Sequence, residues 1–508
     1  MFQRTLIFCA WIGLLFLAAY LRLHDLQQRP FHADEATGAR ILSNRLENDT
    51  YQFNPQHFHG PLLSLSSESI ARLSNETTWK KLTKRTLRLG PAIAGILLVL
   101  TPLLWRRQFS PFAALSAAAL LATSPLLVYY NRMYIHESLL TLLAMLTLPV
   151  AYRLVVKPTL TTATITGIGM GLMFATKETF IISILAWLAA TLGFYVTKRA
   201  HQSSETDHAL PIKNYLLPAL VVALTAAALS SFFYSNGFRS LQGIVDAIKT
   251  YFVYETTAGH EKPLSYYFNL LIWPKNTVGL WWSEMTIAVL AIASCVMTVR
   301  KSKYRGILIY LGIATIAHLI IYSFIGYKTP WLMLVPWAHA CLLAGLALRS
   351  FTEMSIPLRV ASLVILVVGL GYQTKQSLHA TGRYASDARN PYAYVPTSKD
   401  TEILEKWLSA VIDQQGAQTF NPIAVIGSEY WPLPWYLRQF DTIGYWPQPE
   451  TTIIDYALVF AMPQQDTATG ALLRGSHTAL PRSLRAEVPV ILYLRNDIWE
   501  QWTKPTDE

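Results

Sequence analysis

Charge is what this chain has least of. Of its 508 residues, 14% are Asp, Glu, Lys or Arg and 52% are hydrophobic, whereas a soluble globular protein carries about 25% charged residues. The deficit is concentrated in repeated apolar runs, which excludes an ordinary soluble enzyme. Cysteine is nearly absent. Cys9, Cys295 and Cys341 all lie inside apolar runs, so the polar segments have neither a disulfide framework nor a thiolate metal site. No glycine-rich phosphate loop occurs. No internal repeat is found, which argues against a transporter built from inverted halves. The net charge of +11 does not imply nucleic acid, because Lys and Arg fall between the apolar runs and form no basic face.

What is there is a rhythm. Apolar runs fall at about 5–22, 89–104, 111–129, 138–152, 160–176, 179–196, 214–233, 285–299, 306–324, 331–348 and 356–373. They predict a polytopic α-helical membrane protein with about 11 transmembrane helices over residues 1–373. No small-x-small cleavage site follows the first run, which reads as an uncleaved span. The tail, 374–508, is soluble in character. Thr401 to Ile412 has helical spacing, and Pro422 to Ile426, Thr452 to Ala457 and Val488 to Leu494 read as buried strands. A C-terminal α/β domain follows.

The short loops set an orientation. With a cytoplasmic N-terminus, the inside loops hold Arg106-Arg107, Arg153 to Lys157, Lys198 to Lys213, Arg300 to Arg305 and Arg349 to Arg359. Each is basic, as retention of cations on the cytoplasmic side of the cell (inner) membrane requires. The loops 23–88 and 235–284, Arg132 to Glu137, Lys177-Glu178, Tyr327-Lys328 and the tail then share the extracytoplasmic face. Loop 235–284 is amphipathic and aromatic, with Trp273, Trp281 and Trp282, and reads as helices lying in the interface.

The residues with chemistry lie on that face. Asp34 and Glu35 follow the first span. A carboxylate there can deprotonate an acceptor hydroxyl or orient a cation against a departing phosphate, as glycosyl transfer requires. Equally, Asp34 before Glu35-Ala36-Thr37 can cap a helix. His57 and His59 precede a tight Gly60-Pro61 exit, and His59 with Asp34 and Glu137 can supply a divalent metal site. Arg132 can bind phosphate and Glu137 a metal or hydroxyl, although an interfacial anchor also explains Arg132 and its tyrosines. Lys177-Glu178 is either a structural ion pair or a ligand site. Lys328 and Trp331 put a cation and an aromatic at a helix start, where Lys328 can hold a lipid-linked phosphate. Gly259-His260-Glu261 is a weaker pattern.

Together these motifs resemble the GT-C membrane glycosyltransferases, which include protein O-mannosyltransferases and bacterial aminoarabinose transferases. More narrowly they resemble a family described as flippase-activity-associated and linked to archaeal N-glycosylation. The resemblance rests on five pieces. They are Arg29-Pro30-Phe31-His32-Ala33-Asp34-Glu35-Ala36, His59-Gly60-Pro61-Leu62-Leu63, Tyr327-Lys328-Thr329-Pro330-Trp331, Asn390-Pro391-Tyr392-Ala393-Tyr394-Val395-Pro396-Thr397 and Trp431-Pro432-Leu433-Pro434-Trp435-Tyr436-Leu437-Arg438. It implies a polyprenyl-phosphate sugar donor, a lipid, glycan or protein acceptor, and inverting transfer. Asp34 would be the base or metal ligand and Glu35 its neighbour. His59, Arg132, Glu137, Lys177, Glu178, Lys328 and Trp331 would line the substrate. The alternative reading is a lipid-linked sugar flippase, a transporter or a non-catalytic assembly factor.

Overall fold

The computed structural model describes residues 2–48, 51–199, 212–254, 259–297, 305–349, 355–416, 420, 422–486 and 488–503. Helix α1 (Phe2–Leu23) leads to α2 (Ala33–Asn48) and α3 (Leu62–Leu73). Then come α4 (Lys84–Leu98), α5 (Pro111–Thr123), α6 (Pro125–Tyr130), α7 (Glu137–Val156), α8 (Leu160–Thr176), α9 (Phe180–Arg199) and α10 (Ile212–Tyr234). After α11 (Gln242–Val253) and α12 (Tyr266–Leu271) lies a hairpin, β1 (Lys275–Thr277) and β2 (Leu280–Trp282). Helices α13 (Met285–Met297), α14 (Arg305–Phe324), α15 (Leu334–Leu346) and α16 (Ile356–Thr381) complete the bundle.

Among the described residues, seven helices are long and apolar enough to cross a membrane, and four shorter apolar helices accompany them. Together they cover the eleven expected runs, with differences at the ends. The run 111–129 breaks where Ser124 leads into Pro125, because proline cannot continue the helical hydrogen bonding. The Ser124 side chain caps the new helix by accepting from the Leu127 N–H. The break strands carbonyls at the end of α5. The fully buried Arg22 of α1 takes those of Leu121 and Ala122 at 2.9 and 3.0 Å. Positions 298 and 299 of the expected eighth run lie outside the described residues.

Two of the short helices, α5 and α15, are inner ones. Every residue of α15 is buried, as a helix apolar on all sides must be, and it packs against α5, α7, α13 and α14. Helix α8 lies tightly on α10. A Cβ at Gly167 would stand 2.8 Å from the Val222 carbonyl, and one at Gly171 2.8 Å from that of Ala226. The four-residue spacing of small residues lets two apolar backbones approach where no hydrophobic force separates helix from lipid.

Helix α11 is inverted relative to a soluble amphipathic helix. Asp246, Ala247 and Thr250 are buried, whereas Val245, Ile248 and Phe252 are exposed, Phe252 by 84%. An apolar outer face suits a helix in the membrane interface.

The tail is a separate α/β layer. Helix α17 (Asp400–Gln415) and β3 (Ile423–Ile426) precede α18 (Leu433–Tyr436), β4 (Ile443–Trp446), β5 (Leu458–Ala461), α19 (Asp466–Leu473), β6 (His477–Arg485), β7 (Val488–Arg495) and α20 (Asn496–Thr503). The sheet order is β4-β3-β5-β7-β6, parallel over the first three strands and antiparallel over the rest. The strand expected over Thr452 to Ala457 is instead a 3-10 turn, Thr451–Asp455, and the strand is Leu458–Ala461, buried at every position. Helix α16 runs to Thr381, past the expected end of the transmembrane unit at 373.

The tail docks on the 23–88 insertion. Phe31 and Trp435 rings lie 4.1 Å apart, the Phe31 N–H donates to the Tyr436 hydroxyl at 2.8 Å, and Lys84 pairs with Glu402 at 2.8 Å.

Candidate active site

The site is built at one end of the bundle, where the polar segments meet. Residues 31–35, 59–60, 131–137, 177–178, 254, 259–262, 326–331 and 392–397 come together there. Asp34 and Glu35, neighbours in sequence, part company in the first turn of α2. The Glu35 side chain is fully buried and the Asp34 side chain is 51% exposed. Glu35 takes both ends of the buried Arg88 fork, at 2.7 Å from Nε and 2.7 Å from Nη2. It also accepts the Tyr134 N–H at 2.9 Å and the His32 N–H at 3.1 Å. Burial alone would raise the Glu35 carboxyl, but the Arg88 charge and these donors hold it down at about 2. Glu35 is therefore a fixed anion that binds the start of α2 to α4.

The cap of α2 is His32, with its ring Nδ1 accepting the Asp34 N–H at 3.2 Å. The alternative in which Asp34 itself caps the helix is thus corrected: its backbone donates to the cap and its carboxylate faces out. The His32 ring stands 4.0 Å from that carboxylate, and its Nε2 lies 3.2 Å from the Tyr394 carbonyl.

Around Asp34 stands a wall of aromatic and imidazole groups. His260 Nδ1 is 2.6 Å from the Tyr394 hydroxyl, and the His260 ring packs on Tyr327 and Tyr394 at 5.1 and 5.4 Å. Trp331 is edge-on to His32, Tyr130 and Tyr394. Burial, then the Asp34 charge, pushes the phenols of Tyr327 and Tyr394 up to about 12. Burial lowers His260 from the ordinary imidazole value, against an opposite pull from Asp34. The same charge reaches Tyr254 and Arg485.

A second cluster adjoins it through Tyr254. Lys177 and Glu137 form a buried pair at 2.5 Å. His59 Nδ1 lies 3.0 Å from Glu178, and Tyr254 stacks on the His59 ring at 5.3 Å. Burial opposes ionisation of Glu178, but His59 and then Lys177 hold its carboxyl at about 2. Gly60 allows this geometry. A Cβ there would stand 2.2 Å from the Ala175 carbonyl, so the turn after His59 can lie directly on the end of α8.

Of the expected substrate residues, His59, Glu137, Lys177, Glu178 and Trp331 meet in these two clusters. Two expected cations are differently employed. Arg132 donates to the Leu21 and Asp25 carbonyls at 3.0 and 3.1 Å. It closes the end of α1, where carbonyls lack helical partners. Lys328 is 2% exposed and donates to the carbonyls of Ile325 and Lys262 at 2.5 and 3.0 Å, which pins loop 259–262 to the start of the 3-10 turn at Pro330.

The expected metal trio of Asp34, His59 and Glu137 is not brought together. Among the described residues no three His, Cys, Asp or Glu side chains gather as a metal would need. Glu137 turns to Lys177 and His59 to Glu178, so the three expected donors stand apart in this structure. Arg88 lies outside the sequence motifs, although an arginine entering an apolar run signals a buried carboxylate partner. Tyr254 lies outside them as well.

Between α8, α10 and α11 runs an apolar cavity of about 270 Å³, lined by Met170, Phe174, Ala226, Tyr234, Ala247 and Ile248 among others. It abuts the second cluster: Phe174 packs on Tyr251, whose hydroxyl donates to the Glu178 carbonyl at 3.1 Å.

Residues 70–230 match the family described as dolichyl-phosphate-mannose-protein mannosyltransferase, a segment that begins beyond Asp34. None of the curated proteins matches the chain in sequence. Among solved structures, ArnT from Cupriavidus metallidurans in the apo state is similar at a TM-score of 0.64 and 15% identity. The match covers 96% of this chain and 98% of that one. The same protein bound to undecaprenyl phosphate gives 0.60 and 15%, over 95% and 98%. The archaeal oligosaccharyltransferase AglB from Archaeoglobus fulgidus, in complex with an inhibitory peptide and a dolichol-phosphate, gives 0.58 and 14%, over 100% and 76%. The chain therefore has a GT-C-like fold, a polytopic helical membrane bundle carrying a C-terminal mixed α/β sheet domain.

Proposed function

We propose that this chain is a membrane glycosyltransferase that moves a sugar from a polyprenyl-phosphate donor to an acceptor hydroxyl, with Asp34 as the general base. One observation carries the reading. Of two adjacent carboxylates, Glu35 is spent on Arg88 and Asp34 is left facing an open, aromatic-lined space. A base must reach its proton, and a positioned carboxylate of this kind is suited to that.

In this mechanism the acceptor oxygen attacks the anomeric carbon of the donor sugar. Its proton passes to Asp34, the new carbon–oxygen bond forms, and the bond from that carbon to the phosphate oxygen breaks. The electron pair leaves on the phosphate, and a single displacement inverts the anomeric centre. Tyr254, Tyr327 and the imidazoles of His59 and His260 line the space where the departing phosphate would lie, with hydroxyl and ring N–H donors. The Lys177–Glu137 and His59–Glu178 pairs fix the far wall. The apolar cavity between α8, α10 and α11 offers a seat for the first isoprene units. No step is routed through a metal.

Match and fold likeness to ArnT, which binds undecaprenyl phosphate, and to AglB, which binds a dolichol-phosphate, support a polyprenyl phosphate. The basic loops support a cytoplasmic N-terminus with the site on the extracytoplasmic face. The five sequence pieces of the flippase-activity-associated family support that branch. The test compares glycolipids, glycans and glycoproteins by mass spectrometry in cells carrying the wild-type chain, Asp34→Asn or neither. A hexose- or pentose-sized mass shift should need wild-type Asp34. A shift retained with Asp34→Asn at equal membrane abundance would overturn the assignment.

A further inference from the structure

Arg485 is built into the site from the far side of the chain. It closes strand β6, and Arg485 and Thr397 form an isolated antiparallel bridge. The Thr397 hydroxyl in turn donates to the Phe31 carbonyl at 2.9 Å, three residues before Asp34. The Ser398 N–H donates to the Leu484 carbonyl at 2.9 Å. The tail and the start of α2 are thus fastened at this point; burial lowers the Arg485 guanidinium, and the charges of Glu429 and then Asp34 pull it back up. One arm of its fork is engaged: Nη2 donates to the Glu429 carbonyl at 3.1 Å and lies 3.5 Å from its carboxylate. Its Nε is buried and has no hydrogen-bond partner.

The two residues that follow Glu429 belong to an aromatic platform. Tyr430 lies 4.8 Å from Tyr445 and 6.2 Å from Trp431. Tyr445, on edge strand β4, is 40% exposed. Glu429 is 50% exposed at its side chain.

Resting on the transfer reading above, we propose that Glu429, Tyr430, Tyr445 and Arg485 form the acceptor subsite, and that the group it takes is a pyranose ring. A carboxylate and a guanidinium side by side present one acceptor and one donor set. Two neighbouring ring hydroxyls, each able both to donate and to accept, satisfy both at once. The apolar face of a pyranose lies on the phenol rings, which combine an apolar body with a polar edge. An extended peptide would instead seek the open edge of β4. That edge is four residues long, and the peptide backbone would leave the Glu429–Arg485 pair unused.

The experiment uses the full chain purified in detergent and saturation-transfer NMR. The probes are the methyl pyranosides of glucose, mannose, galactose and arabinose, with a Ser/Thr-containing octapeptide as the competing class. At least one pyranoside should receive saturation from the wild type. Arg485→Gln and Tyr445→Leu should weaken that binding at least tenfold, and Arg485→Lys should restore part of it only. Asp34→Asn should bind the sugar as the wild type does while losing transfer, so loss of the subsite and loss of the base are told apart. Tyr445→Leu changes a half-exposed side chain and keeps the test standing if Arg485→Gln does not fold. Silence from every pyranoside, unchanged binding in both variants, or binding of the octapeptide in place of a sugar would each overturn the proposal.

Discussion

The Glu35 carboxylate and the Arg88 guanidinium meet through two bonds of 2.7 Å, in a space neither shares with water. Fifty-three positions of chain separate them, and the pair is what turns the neighbouring Asp34 outward. Glu35→Gln leaves a buried arginine without its counter-charge, and breaking a buried pair from one side destabilises by about 3–5 kcal/mol. Asp34→Asn removes an exposed carboxylate and should change stability by no more than about 0.5 kcal/mol. Thermal unfolding in detergent, followed alongside transfer, should therefore separate the two. Asp34→Asn should keep the melting temperature and lose activity, whereas Glu35→Gln should lose both. A large drop in melting temperature for Asp34→Asn would make it a structural residue.

The Lys177–Glu137 pair gives a second contrast. Its members are 6% and 5% exposed. Lys177→Met or Glu137→Leu alone strands a charge and should destabilise by about 3–5 kcal/mol. The double substitution removes both charges and should recover most of that loss, because apolar replacements of a buried pair are often neutral or better. If the pair instead holds substrate, the double variant melts as the wild type does and still fails to transfer. Melting temperatures and turnover of the four proteins in one thermodynamic cycle decide this.

Much of this architecture was written in local pattern. The expected apolar runs are helical wherever they are described, because a span needs only hydrophobic residues in sequence, and the run 111–129 alone is divided between two α-helices, at Ser124. The polar segments converge as their alternation across the basic loops implied. The long-range pairing was not legible. Nothing near Lys328 in sequence announces that the Lys262 carbonyl will take its ammonium, so a cation beside aromatics reads as a phosphate ligand. Arg132 misled in the same way, because the carbonyls it serves belong to the end of α1. The shift of β5 from 452–457 to 458–461 has a local cause: Thr451 to Asp455 holds polar residues at positions a buried strand cannot accept. The aromatic and guanidinium groups of Tyr254 and Arg485 reach Asp34 only through the folded chain.

Acid should loosen the second cluster before it touches Glu35. The His136 imidazole is held well below its ordinary value by burial first, then by His59 and Lys177. A histidine neutral in the fold but free to charge when unfolded lends stability above the unfolded value near 6.5, and that stability falls as pH drops below it. Glu35 and Glu178, both held near 2, lose their contribution only from about pH 4 downward. Unfolding followed from pH 7.5 to 5 should show a decline that His136→Gln makes shallower, with His260 and His477, also lowered by burial, supplying part of what remains. A decline of equal slope in the variant would move the responsible group elsewhere.

Gly60 makes the sharpest geometric prediction. The Ala175 carbonyl oxygen and carbon would stand 2.2 and 2.5 Å from a Cβ there, and both atoms are backbone at the end of α8, with no side chain to swing aside. Gly60→Ala must push the turn off α8, at about 1–3 kcal/mol for overpacking of this kind. The displaced turn carries His59, whose ring is fixed 3.0 Å from Glu178 and stacked on Tyr254. The loss of stability should therefore come with a larger loss of turnover, and the donor, not the acceptor, should show the raised KM. Pro61→Ala, one position on, adds no atom against Ala175 and should leave turnover near the wild-type value. If Gly60→Ala and Pro61→Ala behave alike, the close approach of the 59–61 turn to α8 has no part in holding the donor end of the site.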